Sequence, residues 1–286
     1  MSRIDPSVCA VMVTYNRPRL AEFLISSLND SSIRPNKIVV VDNSDLSDTG
    51  VEGAFLPNCE VIPLGTNIGP AAGFNLGIRR VLELEPNAKW ILLLDDDDPP
   101  KNHSVIEQLI HRANSLPKNV GGVGLAGGVL SSKFGLLKST LKFKDAEVNC
   151  DYLAGGYLPL YRARILADAR FDESLFFGFE ELSLGLRIKS SGFRLVACND
   201  IASGAGYGHL SKVYSSERNR LRDYYSSRNS VIILRQVGRC AVFFTTLRIL
   251  IGSFRIKALR VRQTRARLLG LVDGLRGRGG ACKHSL

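Results

Sequence analysis

The sequence has no CxxC pair, no apolar run long enough to span a membrane, and almost no acid in its last fifth. Each absence removes a class of protein. The six cysteines, Cys9, Cys59, Cys150, Cys198, Cys240 and Cys282, are scattered singly. That spacing argues against a disulfide framework or a zinc site and fits reduced, mostly buried thiols. A membrane span wants about 18 uninterrupted apolar residues. The nearest candidate, "NSVIILRQVGRCAVFFTTLRILIGSF", is broken by Arg235, Arg239 and Arg248. The opening "MSRIDPSVCAVMVTYNRP" shows no basic-then-apolar leader, so no signal peptide and a cytoplasmic location are expected.

What is present is an ordinary globular composition, with 45% hydrophobic and 23% charged residues over 286 positions. The charge is unevenly spread. Residues 1–234 carry 26 Lys and Arg against 26 Asp and Glu, whereas residues 235–286 carry 12 basic residues against one acid, Asp273. The whole net charge of +11 therefore sits on the tail. A balanced body with a basic appendage is the division this implies.

The first 130 residues alternate short apolar runs with helical patterns. "CAVMVT" (9–14), "KIVVVDNS" (37–44), "EVIPL" (60–64) and "WILLLD" (90–95) read as buried strands, with "LAEFLISSL" and "GPAAGFNLGIRRVLEL" as helices between them. Runs of this kind predict a mostly parallel α/β sheet covered by helices on both faces. Ligands of such sheets bind beyond the carboxyl ends of the strands. Those ends carry Thr14–Arg17, Asp42–Asn43, Gly65–Gly69 and the four consecutive acids Asp95–Asp98. After Gly128 the segments become shorter and β-prone, with a break at Gly155–Gly156, and complete the sheet on an acceptor side.

Four adjacent carboxylates repel one another unless a cation or solvent relieves them. A carboxylate cluster at a strand end is a hard-oxygen site suited to Mg²⁺ or Mn²⁺. Alternation along an extended segment lets Asp95 and Asp97 share one target while Asp96 faces elsewhere. A solvated acidic loop is the bland alternative.

In order, "VTYNRP" (13–18), "VVVDNS" (39–44), "GTNIGPAAGFNLG" (65–77), "LLLDDDDPP" (92–100), "FFGFEELSLGLRIKSSGF" (176–193) and "YYSSRN" (224–229) resemble the inverting family-2 glycosyltransferases. Within them the chain is similar to the bacterial rhamnosyltransferase and galactofuranosyltransferase branch. The resemblance covers about residues 8–235, with a weaker likeness of "LLGLVDGLRGRGG" to the tail of that branch. It implies a GT-A fold, with residues 1–234 as the glycosyltransferase domain (1–130 the nucleotide-sugar half, 131–234 the acceptor half). It places Asp95 and Asp97 on the divalent ion and Asp96 near the ribose. A slip of one residue would move the ligands to Asp96 and Asp98. A late strand-end histidine, His209, is the third metal ligand implied.

Transfer of a sugar needs a base for the acceptor hydroxyl, and Glu180 and Glu181 stand where the family pattern puts one. Position-by-position matching makes Glu181 the base; charge complementing a helix N-terminus is the other role open to it. The sequence departs from the pattern at Ser183, where an acid is usual, and in having Glu rather than the frequent Asp at the base position. For the donor, Thr14, Tyr15 and Arg17 lie beyond the first strand, Asp42 resembles the residue that reads the base edge, and Asn67 and Gly69 fit a loop against the nucleoside. Gly73 and Gly77 fit helix packing as well as they fit binding. Arg187 either orients the glutamates or solvates a helix face. The donors implied are dTDP-rhamnose and UDP-galactofuranose; the acceptor is a glycan or a lipid-linked saccharide of the cell envelope.

In residues 235–286, the tail, Cys240, Phe244, Leu247, Ile251, Phe254, Ala258 and Val261 recur at helical spacing beside Arg248, Arg255 and Arg262. A basic amphipathic helix suits an anionic membrane surface, here the inner face of the cytoplasmic membrane. Packing of the stripe on the body is the alternative, and nucleic acid is disfavoured because aromatics do not interleave with the cations. Two other functions stand beside transfer. A sugar nucleotidyltransferase would want a glycine-rich basic loop where "YNRPRL" stands. A nucleotide-sugar-binding scaffold without activity finds its support in Ser183.

Overall fold

The computed structural model describes residues 7–45, 56–207, 220–255 and 261–286. In chain order the nucleotide-side elements are β1 (Val8–Thr14), α1 (Pro18–Asn29), β2 (Lys37–Asp45), β3 (Cys59–Gly65), α2 (Pro70–Leu84), β4 (Trp90–Asp95), α3 (Val105–Ser115) and β5 (Val120–Gly124). The next stretch holds β6 (Gly127–Leu130), β7 (Leu137–Ser139), β8 (Glu147–Cys150), β9 (Tyr152–Leu153), β10 (Leu160–Arg162) and α4 (Ala163–Asp168). Then come α5 (Glu180–Ser190), β11 (Arg194–Cys198), α6 (Asn199–Gly204), α7 (Arg220–Val237), α8 (Arg239–Arg255) and α9 (Val261–Arg276).

An eight-stranded sheet runs in the order β3-β2-β1-β4-β10-β5-β11-β8. β1, β2, β3 and β4 pair parallel, as do β5 and β11, while β10 and β8 run antiparallel to their neighbours. β6, β7 and β9 form a separate antiparallel sheet. Apolar residues on both sides of β1 explain its central place. Val8, Ala10 and Met12 pack with α1 and α3 on one face, and Cys9, Val11 and Val13 with α2 and α4 on the other. Each face removes its share of apolar area from water, at about 25 cal/mol per Å².

The order of connection locates the site. From β1 the chain moves outward to β2 and β3, then returns across β1 to place β4 on its other side. Where the winding reverses, the carboxyl ends of β1 and β4 open a crevice between diverging connections. Thr14 and Asp95 stand on its two lips.

The C-terminal helices depart from an ordinary surface arrangement. On α8 the buried residues are the small Ala241, Thr245 and Ser253, whereas Phe243 is 63% exposed, and Cys240, Leu247 and Ile251 also face solvent. Of the described part of the apolar stripe, Cys240, Leu247 and Ile251 are thus turned outward, while the half-buried Phe244 packs against Phe134 of the β6–β7 turn at 5.1 Å. Arg248 does not join a free basic row: it donates to the carbonyls of Phe134 at 2.7 Å and Gly135 at 3.1 Å, tying the β6–β7 turn to α8. The side chains of Phe254, Arg255, Ala258, Val261 and Arg262 lie outside the described residues. α9 folds back along α7.

Candidate active site

β1 ends at Thr14, whose hydroxyl donates to Asp96 Oδ2 at 2.7 Å. The turn after it needs Asn16 at φ 53°, a left-handed conformation that asparagine tolerates, and Asn16 N–H donates to Ser44 Oγ at 2.8 Å. This turn points Arg17 back over the acids: its Nη1 lies 3.1 Å from Asp96 Oδ1 and 3.0 Å from Asp97 Oδ2. Burial alone would lower the Arg17 pKa, but the charges of Asp96 and Asp97 outweigh it and raise it. Tyr15 beside it is exposed.

The other loops of the crevice are held by their own side chains. Asp42 is buried and accepts from Ser44 N–H at 2.9 Å. Asn67 Oδ1 accepts from Gly69 N–H at 2.9 Å, closing the turn before α2. Gly69 has φ +84°, and a Cβ there would stand 2.6 Å from Phe176 O, so the nucleoside-side loop touches the loop that precedes α5. At Gly77 a Cβ would come within 2.3 Å of Val11, and at Gly73 within 3.1 Å of Val13. Those two glycines serve close packing of α2 on β1.

The acids divide into two groups. Asp96 and Asp97 face Arg17, while Asp95 and Asp98 turn towards Gly155 and Gly156. Asp95 and Asp97 therefore do not share a target as alternation predicts, because the extended strand β4 ends at Asp95 and the chain turns after it. A Cβ built on Gly155 would lie 2.8 Å from Asp95 Oδ2 and 2.9 Å from Glu181 Oε1, so both carboxylates crowd the space that this glycine leaves. Gly156 does the same for Asp98, at 2.5 Å from its Oδ2. In the sequence the glycine pair marks only a break; its role as a cradle is missed because residues some 60 positions apart carry no shared local pattern.

Crowding of like charges shows in the proton affinities. Burial, then the charge of Glu181, pushes Asp95 up to about 8, and burial with the charges of Asp97 and Asp96 pushes Asp98 up to about 6. Glu180 rises to about 8, mainly by burial and then by Glu181, and burial raises Glu181 as well.

The two glutamates have separate places. Glu180 turns back so that its Oε1 accepts from Gly178 N–H at 2.6 Å, capping the loop from which α5 starts. Glu181 Oε1 lies against Gly155 and faces Asp95 across it. The loop before them is strained: Phe176, Gly178 and Phe179 have φ of 60°, 82° and 73°. A non-glycine residue in such a conformation costs about 1–3 kcal/mol and persists only where its surroundings hold it. Arg187 does not orient the glutamates. It donates to Arg170 O at 2.9 Å and pairs with Asp172, because six residues on from Glu181 it leaves α5 on another face. The Ser183 hydroxyl is buried without a hydrogen-bond partner. His209 lies outside the described residues.

A model of Glycosyl transferase family 2 matches residues 9–154. This covers half of the chain, spans β1 and the acidic turn, and ends just before the glycine cradle. The chain belongs to glycosyl transferase family 2. Among curated proteins, this family-2 glycosyltransferase is similar to galactofuranosyltransferase GlfT1 of Mycolicibacterium smegmatis, 34% identical over 38% of this chain and 35% of that one. It therefore spans about a third of the length of the galactofuranosyltransferases it matches. With the dTDP-rhamnosyl transferase RfbF of Shigella flexneri it shares 24% identity over 99% of this chain and 100% of the other. Two solved structures share the fold. They are the mannosyltransferase PcManGT from Pyrobaculum calidifontis in complex with GDP-Man and Mn²⁺ (TM-score 0.57, 13% identity, 96% of this chain and 88% of that one) and S. aureus TarS 1-349 in complex with UDP-GlcNAc (TM-score 0.55, 15% identity, 95% and 81%).

A divalent ion suits the donor set. Asp95 to Asp98 offer hard oxygens only, and Arg17, the cation that touches them, is committed to Asp96 and Asp97, leaving Asp95 beside Glu181 without a counter-charge. Among the described residues no three acid, cysteine or histidine side chains could hold a metal ion. Two carboxylates completed by substrate phosphates and water is a usual arrangement for Mg²⁺.

Proposed function

We propose that the protein is a metal-dependent, inverting hexosyltransferase. It moves rhamnose or galactofuranose from a dTDP- or UDP-sugar to a hydroxyl of a glycan or lipid-linked saccharide in cell-envelope polysaccharide synthesis. The observation that carries this is the meeting of Asp95 and Glu181 at Gly155, on the crevice where the sheet reverses its winding. The galactofuranosyl and dTDP-rhamnosyl transfer of the relatives GlfT1 and RfbF supports the choice of sugar.

In this reading Glu181 takes the proton of the attacking hydroxyl, and the rise in proton affinity that burial gives it favours that role. Glu180 keeps the loop in shape. Thr14 and Arg17 orient Asp96 towards the ribose, and Arg17 places positive charge where a diphosphate would lie. Tyr15, Asp42, Asn67 and Gly69 line the nucleoside side. Mn²⁺ or Mg²⁺ would be held by Asp95 and, once its carboxylate turns from Arg17, by Asp97, with His209 as third ligand, and would supply charge stabilisation to the departing diphosphate. Ser183, with a buried hydroxyl where an acid is usual, favours the second reading: a nucleotide-sugar binder without turnover.

We further propose that residues 1–234 form the catalytic domain and that α8 in the 235–286 segment rests on anionic lipid at the inner face of the cytoplasmic membrane. No helix among the described residues is long and apolar enough to cross a membrane. α8 has no acid along its length, and Arg248 draws exposed Phe134 and Leu136 beside its own Phe243, Leu247 and Ile251. Lys133, whose Nζ lies 5.3 Å from the Phe134 ring, and Arg239, the first residue of α8, add positive charge to this surface.

A thermal-shift panel of nucleotide sugars with and without Mn²⁺ identifies the donor class, and Glu181→Gln then tests the chemistry. The variant should bind the donor as the wild type does and lose turnover by at least about 10²-fold. Wild-type turnover in Glu181→Gln would remove the base; donor binding with no turnover in the wild type would favour the binder. Co-flotation with phosphatidylglycerol vesicles but not phosphatidylcholine vesicles, abolished by Phe243→Glu with Leu247→Glu, is expected of the lipid surface. Equal recovery with both lipids would overturn it.

A further inference from the structure

The motif "YYSSRN" has a place in the family pattern but, so far, no task. In the fold it occupies residues 224–229 of α7, and Arg228 and Asn229 are fully buried. Both side chains reach the same stretch of backbone. Asn229 Nδ2 donates to the carbonyls of Leu175 and Phe177 at 2.8 Å each and of Gly178 at 3.0 Å. Arg228 Nη2 donates to Leu175 O at 2.6 Å and lies 3.4 Å from Ser174 O, and its Nε donates to Asn229 Oδ1 at 2.8 Å. A loop with three positive φ angles cannot pair its carbonyls in a regular element, so they need partners brought from elsewhere. Two adjacent residues of α7 supply them.

Arg228 has one arm left. Its Nη1 donates to Gly280 O at 2.6 Å, and Gly280 N–H donates to Ser174 O at 2.6 Å. The C-terminal residues therefore close on the same loop from the other side. α9 can bring them there because Gly270 and Gly274 leave no side chain between it and α7: a Cβ at either would meet Tyr224 O at 2.2 Å or Arg228 O at 2.7 Å. Asp273 accepts from Tyr224 OH at 2.8 Å and pairs with Arg278 at 3.3 Å and His284 at 2.6 Å. Cys282 N–H donates to Tyr225 OH at 2.7 Å, and the Tyr225 ring stacks on Phe176 at 5.5 Å. Each of Tyr224, Tyr225, Arg228 and Asn229 thus holds either the loop or the strap over it.

Arg228 is an expensive choice for mere stability. Its partners are carbonyls, an amide oxygen and the faces of Tyr224 and Tyr225, and among the described residues no acid is one of them. A buried cation without an acid partner is a poor way to hold a fold together. The planar fork of five donors is, however, a good way to fix several carbonyls in one geometry.

We propose that Arg228 and Asn229 are positioning residues for sugar transfer. They fix the backbone of residues 174–178, and through it the place of Glu181, while the strap of residues 277–282 is the second support. The inference rests on Glu181 being the proton acceptor. The donor pocket, built on the ends of β1, β2 and β4, touches neither residue and meets the loop they hold at one point, where Gly69 approaches Phe176 O.

The test uses two variants of the full chain. Asn229→Asp is nearly isosteric and keeps the acceptor for Arg228 but removes the amide donors. Gly279→Ala leaves the core untouched: it adds a Cβ on the exposed strap, 2.7 Å from Ser174 O, and pushes on the loop. Amide hydrogen exchange of residues 175–181 should rise at least about 10-fold in Asn229→Asp and about 3-fold in Gly279→Ala, with β1 and β4 unchanged. Turnover of the donor that the wild type hydrolyses fastest should fall by a similar or larger factor. KM for that donor and binding of its nucleoside diphosphate with Mn²⁺ should change by a smaller factor than kcat in both variants, because the loop meets the donor side only at Gly69. Unchanged exchange in the loop, or exchange that rises equally across β1 and β4, would overturn the proposal, as would KM rising while kcat holds. Glu181→Gln run alongside separates the two failures. If Glu181→Gln is fully active, the base assignment falls; if it is dead while both strap variants keep wild-type kcat, the positioning role falls. If the wild type turns over no donor, the transfer reading falls and the exchange data still decide whether the loop is held as described.

Discussion

Asp95–Asp98 and Glu180–Glu181 meet in one crevice but are built in different ways. The aspartates leave the end of a buried strand paired along its length with β1, and two short-range devices, Thr14 and Arg17, steer Asp96 and Asp97. The glutamates follow a loop of left-handed residues that belongs to no regular element, and its form comes from side chains of α7 and from the C-terminal strap. One half of the site inherits its geometry from the sheet. The other half borrows it from residues about 50 positions further along the chain, and is correspondingly easier to disturb from a distance.

Gly155 lies where the halves touch, so altering it should have the largest effect. Its backbone conformation is open to any residue, and the only obstacle to a side chain is the pair of carboxylate oxygens at 2.8 and 2.9 Å. Gly155→Ala should therefore fold, yet part Asp95 from Glu181, and a displacement of about 1 Å at reacting groups can cost about 10²-fold in rate. Steady-state turnover and a melting curve check both expectations. Loss of folding together with activity would mean that the cradle is structural, and unchanged activity would mean that the two halves do not act together.

The same difference governs what could be read in advance. β1, β2, β3 and β4 were legible because buried strands of a parallel sheet are continuous apolar runs, and the polar residues at their ends could be named from position alone. The second half was not legible in this way. The antiparallel entry of β10 between β4 and β5, the meeting of Gly155 with Asp95 and Glu181, and the grip of Asn229 on residues 175–178 all join distant segments. No local period encodes such contacts. Arg187 shows the converse error: a charged residue near the glutamates in sequence points to Asp172 once the helix turns. On α8 the stripe was visible, but the direction it faces depends on the small residues Ala241, Thr245 and Ser253 on the other side.

A second, smaller effect concerns pH. Asp95 and Glu180 are pushed up to about 8 and Asp98 to about 6, well above unfolded carboxyls near 4. Between those limits the folded state keeps protons that the unfolded state has released, so this cluster's contribution to stability falls as pH rises from about 4 to about 8. A divalent cation opposes that loss most where the acids are ionised. Melting temperature without divalent ions should thus decline from pH 5.5 to pH 8, and the increase on adding Mn²⁺ should be larger at pH 8. Asp95→Asn should flatten both trends. A larger Mn²⁺ increase at pH 5.5 would contradict the crowding of unpaired carboxylates. Because the charge of Glu181 adds to burial in raising Asp95, the trends also report whether the two halves stay together in solution.

The smallest effect is expected at Ser183, on the glutamate side of the crevice. Its hydroxyl is buried without a partner, and leaving such a group unsatisfied costs about 1–3 kcal/mol. Ser183→Ala removes the hydroxyl and little volume, so stability in denaturant should rise by about 1 kcal/mol while turnover stays within about 2-fold. The comparison sharpens if this holds, because a residue two positions from Glu181 would then matter less to transfer than Asn229, which lies nearly 50 positions away but touches the backbone that places it. A fall in turnover without a change in stability would instead mean that the Ser183 hydroxyl bonds to substrate, and that this position, without its usual acid, still takes part in the reaction.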